Sequence, residues 1–118
     1  MDQGFLARME QSLLDMKQSI ISKIMVNNSD FKAITEGMTP KDVVDTASDD
    51  IDRELIGTLS SQDIKQLRLI ESALTRVQQG KYGLCIKCGK NIPEGRLEAI
   101  PYALMCVECK TLEERKNR

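Results

Sequence analysis

Apolar residues at Leu6, Met9, Leu13, Met16 and Ile20 recur in alternating steps of three and four. That spacing predicts an amphipathic helix with a narrow seam of the coiled-coil kind. A second series, Ile24, Asn27, Phe31, Ile34 and Met38, resumes the steps after a phase shift between Ile20 and Ile24, as a stutter produces. Because the period resumes, the expectation is one continuous first helix with Asn27 as a polar residue in its seam. The competing reading ends that helix at Asn27-Asn28.

A turn is then marked by residue chemistry. Gly37 suits a helix C-cap, Thr39 an N-cap and Pro40 the first helical position. Asp42, three residues after Thr39, can complete a reciprocal cap and complements the positive end of the helix dipole. A second helix is expected from Pro40 to about Gln79, ~60 Å at 1.5 Å per residue. Its inner face would be Val44, Ala47, Ile51, Leu55 and Leu59, then Ile64, Leu67, Ile70, Leu74 and Val77. The apolar phase slips around Gly57, Thr58, Ser60 and Ser61, which predicts either a kink or a weak solvent-facing stretch. Gly80 closes the helix. Two helices folding back near residue 38 would pair residue 5 with roughly residue 72.

Composition sharpens this picture. The chain has 118 residues, four Cys and no His, and only 3% aromatics. So few large rings argue against a big globular core, whereas a two-helix seam needs only Leu, Ile and Met. All four Cys lie between residues 85 and 109, and Gly and Pro also become denser after Gly80. The expected fold is mainly α: a long antiparallel coiled-coil hairpin over 1–79 with its tip near 37–47, then a small zinc-finger base and short C-terminal helix over 80–118. Without His, no Ser–His–Asp triad, Cys–His pair or His-ligated metal can form, and no other nucleophile–base pair is apparent. The expectation is a protein that is not an enzyme. No stretch is apolar enough for a membrane span, and the start MDQGFLARMEQ has no signal core. A cytoplasmic protein is expected, in which thiols stay reduced and serve metal or redox chemistry.

The cysteines are spaced Cys85-x2-Cys88, seventeen residues, Cys106-x2-Cys109. Two thiolates three apart on a tight turn reach one ion, and two such turns complete a tetrahedron. One structural Zn²⁺ is expected on Cys85, Cys88, Cys106 and Cys109, because four thiolates leave no open position for water. A pair of metal-free redox motifs is the alternative. Gly89 sits where such a turn needs an unusual backbone conformation. Thr111 to Arg118 reads as a polar terminal helix.

The formal net charge of −1 hides an uneven distribution. Residues 42–54 carry six acidic side chains against one basic, whereas residues 80–118 carry eight basic against five acidic. Near-neutrality overall argues against coating nucleic acid through bulk positive charge. Asp42 and Asp45 share a face at the start of the second helix. Dipole complementation explains them adequately; as a Mg²⁺ cage they would need further ligands.

The motif D-x-x-D-x-A at Asp42, Asp45 and Ala47, with the segment YGLCIKCGKNIPEGRLEAIPYALMCVECKTLEE from Tyr82, resembles the DksA/TraR family of bacterial transcription factors. The resemblance implies direct binding to RNA polymerase, with the coiled-coil tip inserted through its secondary channel. Asp42, Asp45 and Ala47 would be the functional tip, altering open-complex stability at promoters such as those for ribosomal RNA, in the manner of the stringent response. Arg96 and Lys110 would be basic contacts at the base. Neither sequence-specific DNA binding nor a membrane is implied. The family's ppGpp site uses basic residues at positions that align here with Leu69 and Ile100. Apolar side chains cannot pair with pyrophosphate, so those positions weigh against family-like ppGpp binding. Two other functions compete: a transcript-cleavage factor acting through the same channel, and a zinc-finger module that binds nucleic acid or protein.

Overall fold

The computed structural model describes residues 1–46, 57 and 59–116. The described residues form six helices: α1 (Gln3–Asn27), α2 (Ser29–Ile34), α3 (Pro40–Thr46), α4 (Ser61–Gln79), α5 (Glu94–Ala99) and α6 (Val107–Lys116). Among them the only β pairing is an isolated antiparallel bridge between Leu84 and Asn91. The fold is therefore mainly α, as the periodicity predicts. No described helix is long and apolar enough to cross a membrane. The chain divides into two compact units, residues 14–68 and residues 1–13 with 69–118.

In the unit of residues 14–68, Ile21, Ile24, Phe31, Val43 and Leu67 form the core, flanked by Ile20, Met25, Met38, Val44 and Leu59. The continuous first helix is corrected here. Asn28 adopts an extended backbone, φ −122° and ψ 114°, and its side chain accepts the Phe31 N–H at 3.0 Å. Asn28 is thus the N-cap of a new helix, because a short amide side chain competes with the helical backbone for its N–H groups. The break resets the phase. Phe31 becomes fully buried, while Asn27 and Ile34, expected in the seam, are exposed. Val43, rather than Val44, is the more deeply buried of that pair.

The turn after α2 follows its sequence signals. Buried Thr35 donates its hydroxyl to the Phe31 carbonyl at 2.8 Å, and Gly37 takes φ +81°. Thr39 and Asp42 then cap α3 reciprocally. The Asp42 N–H donates to Thr39 Oγ1 at 3.1 Å, and the Thr39 N–H donates to Asp42 Oδ2 at 2.9 Å. Two otherwise orphaned donors are satisfied together.

The expected second helix is also interrupted. Leu59 and Ser60 lie outside any helix, and the Ser60 hydroxyl accepts the Asp63 N–H at 3.2 Å. Ser60 therefore starts α4 as an N-cap, so the serines near Gly57 begin a helix there. Ala47, Ile51 and Leu55 lie outside the described residues.

In the other unit the buried side chains include Phe5, Met9 and Leu13 on α1, Ile70 and Ala73 on α4, and Tyr82, Cys85, Ile92, Leu97 and Ala103 beyond. Phe5 replaces Leu6 as the innermost residue at the start of α1, so that Phe5, Met9 and Leu13 follow one another in steps of four. Helix α4 ends on a Schellman motif: Lys81 N–H donates to the Arg76 carbonyl at 2.9 Å and Gly80 N–H to Val77 at 3.2 Å, with Gly80 at φ +74°. Arg76 then donates to the Leu84 carbonyl at 3.0 Å, tying α4 to the segment that enters the first cysteine pair.

Candidate functional site

Two different local structures present the thiols. The first pair sits on a tight turn. Gly89 N–H donates to the Cys85 carbonyl at 3.0 Å, and Cys85 N–H donates to the Lys90 carbonyl at 2.8 Å. The turn closes through Gly89 at φ +76°, a conformation that a Cβ would strain. The second pair sits on a helix N-terminus. Cys106 precedes α6, Cys109 lies in its first turn, and Lys110 N–H donates to the Cys106 carbonyl at 3.0 Å. The terminal helix thus begins earlier than Thr111, at the ligands themselves.

The two pairs are held together by bonds from neighbouring residues. Ile86 N–H donates to the Leu104 carbonyl at 2.9 Å. Lys87 on the turn pairs with Glu113 on α6 at 3.0 Å, which lowers the Glu113 carboxyl below its ordinary range. Arg96 Nε–H donates to the Met105 carbonyl at 3.1 Å, and the buried Tyr82 hydroxyl donates to the Pro101 carbonyl at 2.8 Å. Burial pushes the Tyr82 phenol up to about 12, so it remains a donor.

The four sulfurs all lie within 4.8 Å of one another, and Cys88 Sγ is 3.8 Å from Cys106 Sγ. A tetrahedral ion with Zn–S bonds of ~2.3 Å needs sulfurs ~3.8 Å apart. The cluster therefore fits zinc in both donor type and size. Proton sharing within it points the same way. Burial opposes ionisation of Cys85, but the N–H groups of Cys88, Cys106 and Lys87 and the Cys109 thiol bring it down to about 6. Hydrogen bonds with Cys106 and Cys85, and then burial, push Cys109 up to about 12. Thiols held this close cannot all ionise alone; a divalent cation replaces the shared protons.

The acidic pair is placed differently. The Asp42 carboxylate is engaged in the α3 cap, and its backbone hydrogen bond from Thr39 holds its pKa below the usual carboxylate range. Asp45, one turn on, is exposed. Ala47 lies outside the described residues. Among the described residues no third His, Cys, Asp or Glu joins Asp42 and Asp45 in a metal-sized group. Lys110 is exposed and Arg96 half-buried. The bond from Arg96 to Met105, which helps place Cys106, has no signature in the sequence.

Residues 80–115 match the model of the prokaryotic dksA/traR C4-type zinc finger. With that match and the sulfur geometry, Cys85, Cys88, Cys106 and Cys109 are a structural zinc site. The RNA polymerase-binding transcription factor DksA of Caulobacter vibrioides is 36% identical to the chain, over 92% of the chain and 75% of that protein. The solution structure of the DnaK suppressor protein from Agrobacterium tumefaciens C58 is 34% identical, with a TM-score of 0.66 over 90% of this chain and 91% of that one. The RNA polymerase binding protein and transcriptional regulator Dks from Chlamydia trachomatis is 25% identical, with a TM-score of 0.62 over 98% and 94%.

Proposed function

The chain belongs to the DksA/TraR family of zinc-finger proteins, and from that premise we propose that it binds bacterial RNA polymerase directly and regulates transcription initiation. The observation that carries this reading is the α3 N-terminus. The Thr39–Asp42 cap fixes the first turn of the helix and leaves Asp45 exposed on the same face. A rigid, capped turn with a displayed carboxylate suits a probe that enters a channel. On this reading the turn passes through the polymerase secondary channel, and Asp42, Asp45 and Ala47 alter open-complex stability at promoters such as those for ribosomal RNA. Arg96 and Lys110 contact the polymerase at the base. The protein acts in the cytoplasm by binding, without catalysing a reaction, and the zinc is structural.

Family-like ppGpp binding forms no part of the proposal. Leu69 and Ile100, which stand where the family has cations, line a mainly apolar cavity here. The cleavage-factor reading is weaker, because among the described residues no third ligand joins Asp42 and Asp45, and two carboxylates alone hold Mg²⁺ poorly.

A photo-crosslinking amino acid at position 45 tests the placement. In the complex with RNA polymerase it should crosslink to the subunits that line the secondary channel, and a transcript-cleavage factor should compete the crosslink away. A stable complex whose crosslinks map to the outer surface would overturn it.

A further inference from the structure

The helix breaks at Asn28 and Ser60 lie opposite one another. In the unit of residues 14–68, a cavity of about 250 Å³ is lined by Asn27 and Asn28 from the end of α1 and by Leu59 and Ser60 from just before α4. Asn28 and Ser60 are the side chains that cap the new helices. Both breaks therefore fall at one level, although they are far apart in sequence.

The helical ladders stop at this level on both sides. The Asn28 N–H donates to the Ile24 carbonyl at 2.9 Å and ends one ladder, and the Lys32 N–H donates to the Asn28 carbonyl at 3.0 Å and begins the next. Between them the Phe31 N–H goes to the Asn28 side chain. On the facing segment the α4 ladder begins with the Ile64 N–H, which donates to the Ser60 carbonyl at 3.0 Å. A helix bends where its i→i−4 ladder is interrupted. An unbroken neighbour would splint a single interruption; two interruptions at one level have no such splint.

The apolar contacts that span the level are non-directional. Phe31 and Val43, beyond the breaks, share one core with Ile21, Ile24 and Leu67 before them. Apolar burial tolerates a small rotation that keeps the area covered. The ion pair beside the cavity, Lys23 Nζ to Asp63 Oδ2 at 3.9 Å, is a weak tie, since the Lys23 side chain is 66% exposed.

We infer that Asn28 and Ser60 form a paired hinge, about which α2 and α3 swing as one body relative to residues 14–27 and 61–68, with the Lys23–Asp63 pair restraining the swing. The swinging body is internally fixed. Thr35 bonds to the Phe31 carbonyl, and the Thr39–Asp42 cap holds the first turn of α3. The hinge thus redirects Asp45 without unwinding the turn that presents it. It is a property of the free protein and does not depend on the polymerase reading.

Residual dipolar couplings of the backbone amides, measured on the full zinc-loaded chain free in solution, test the hinge. Couplings from residues 14–27 and 61–68 should fit one alignment tensor. Those from α2 and α3 should together fit a second, with a loss of order that steps at Asn28 on one side and at Ser60 on the other. Lys23→Gln, at an exposed position, should deepen that loss, as should salt concentrated enough to screen the pair. A single tensor of equal order, a gradual decline without a step, a step on one side alone, or a loss of order unchanged in Lys23→Gln would each overturn the inference.

Discussion

Asp45→Asn removes the protein's effect on transcription initiation while the variant still binds RNA polymerase. The substitution keeps the size of the side chain and removes its charge. Asp45 takes no part in the Thr39–Asp42 cap, so α3 keeps its N-terminus. One exposed charge contributes about 1 kcal/mol or less to association, so polymerase affinity should change less than about fivefold. The regulatory effect depends instead on where that charge sits in the channel, and there an amide is no substitute. Promoter output measured beside polymerase binding separates the two. A variant that still regulates like the wild type would remove the tip from the mechanism. Asp42→Asn is a poorer probe, because it also weakens the cap.

Removing zinc, by a strong chelator or by Cys109→Ser, unfolds the segment from about Gly80 onward and leaves much of the helical signal in place. The reasoning is energetic. Structural four-cysteine sites contribute roughly 10–16 kcal/mol of apparent binding free energy, comparable to or above the whole stability of a small domain. The segment has few alternatives to the metal. Its α5 and α6 are short, and α6 has no buried residue. Helices α1 and α4 bury their own apolar faces, so circular dichroism should retain a strong helical spectrum. Limited proteolysis should then cut within residues 80–116. A base that stays protease-resistant after verified loss of zinc would contradict the structural role.

The zinc centre was legible in the sequence because each C-x2-C pair is a local device, and Gly89 marked the first turn. The reciprocal cap was legible for the same reason: Thr39 and Asp42 are three residues apart and satisfy one another. The break at Asn28 was not. The apolar spacing continued across it, and periodicity alone cannot tell a stutter in one continuous helix from a break between two helices. The local chemistry of two adjacent asparagines decided the matter. The slip near Gly57 showed that something changed, but only the Ser60 cap identified it as a helix start. Phe5 displaced Leu6 because helix orientation is set by the neighbours it packs against, which a one-dimensional spacing does not contain.

Regulation of RNA polymerase is decided by multi-round transcription from a ribosomal RNA promoter by purified polymerase, with and without ppGpp. Saturating zinc-loaded protein should lower transcript output by itself, and ppGpp should add little, given Leu69 and Ile100 in place of cations. Unchanged output at saturating protein, with polymerase active and the protein folded, would contradict it.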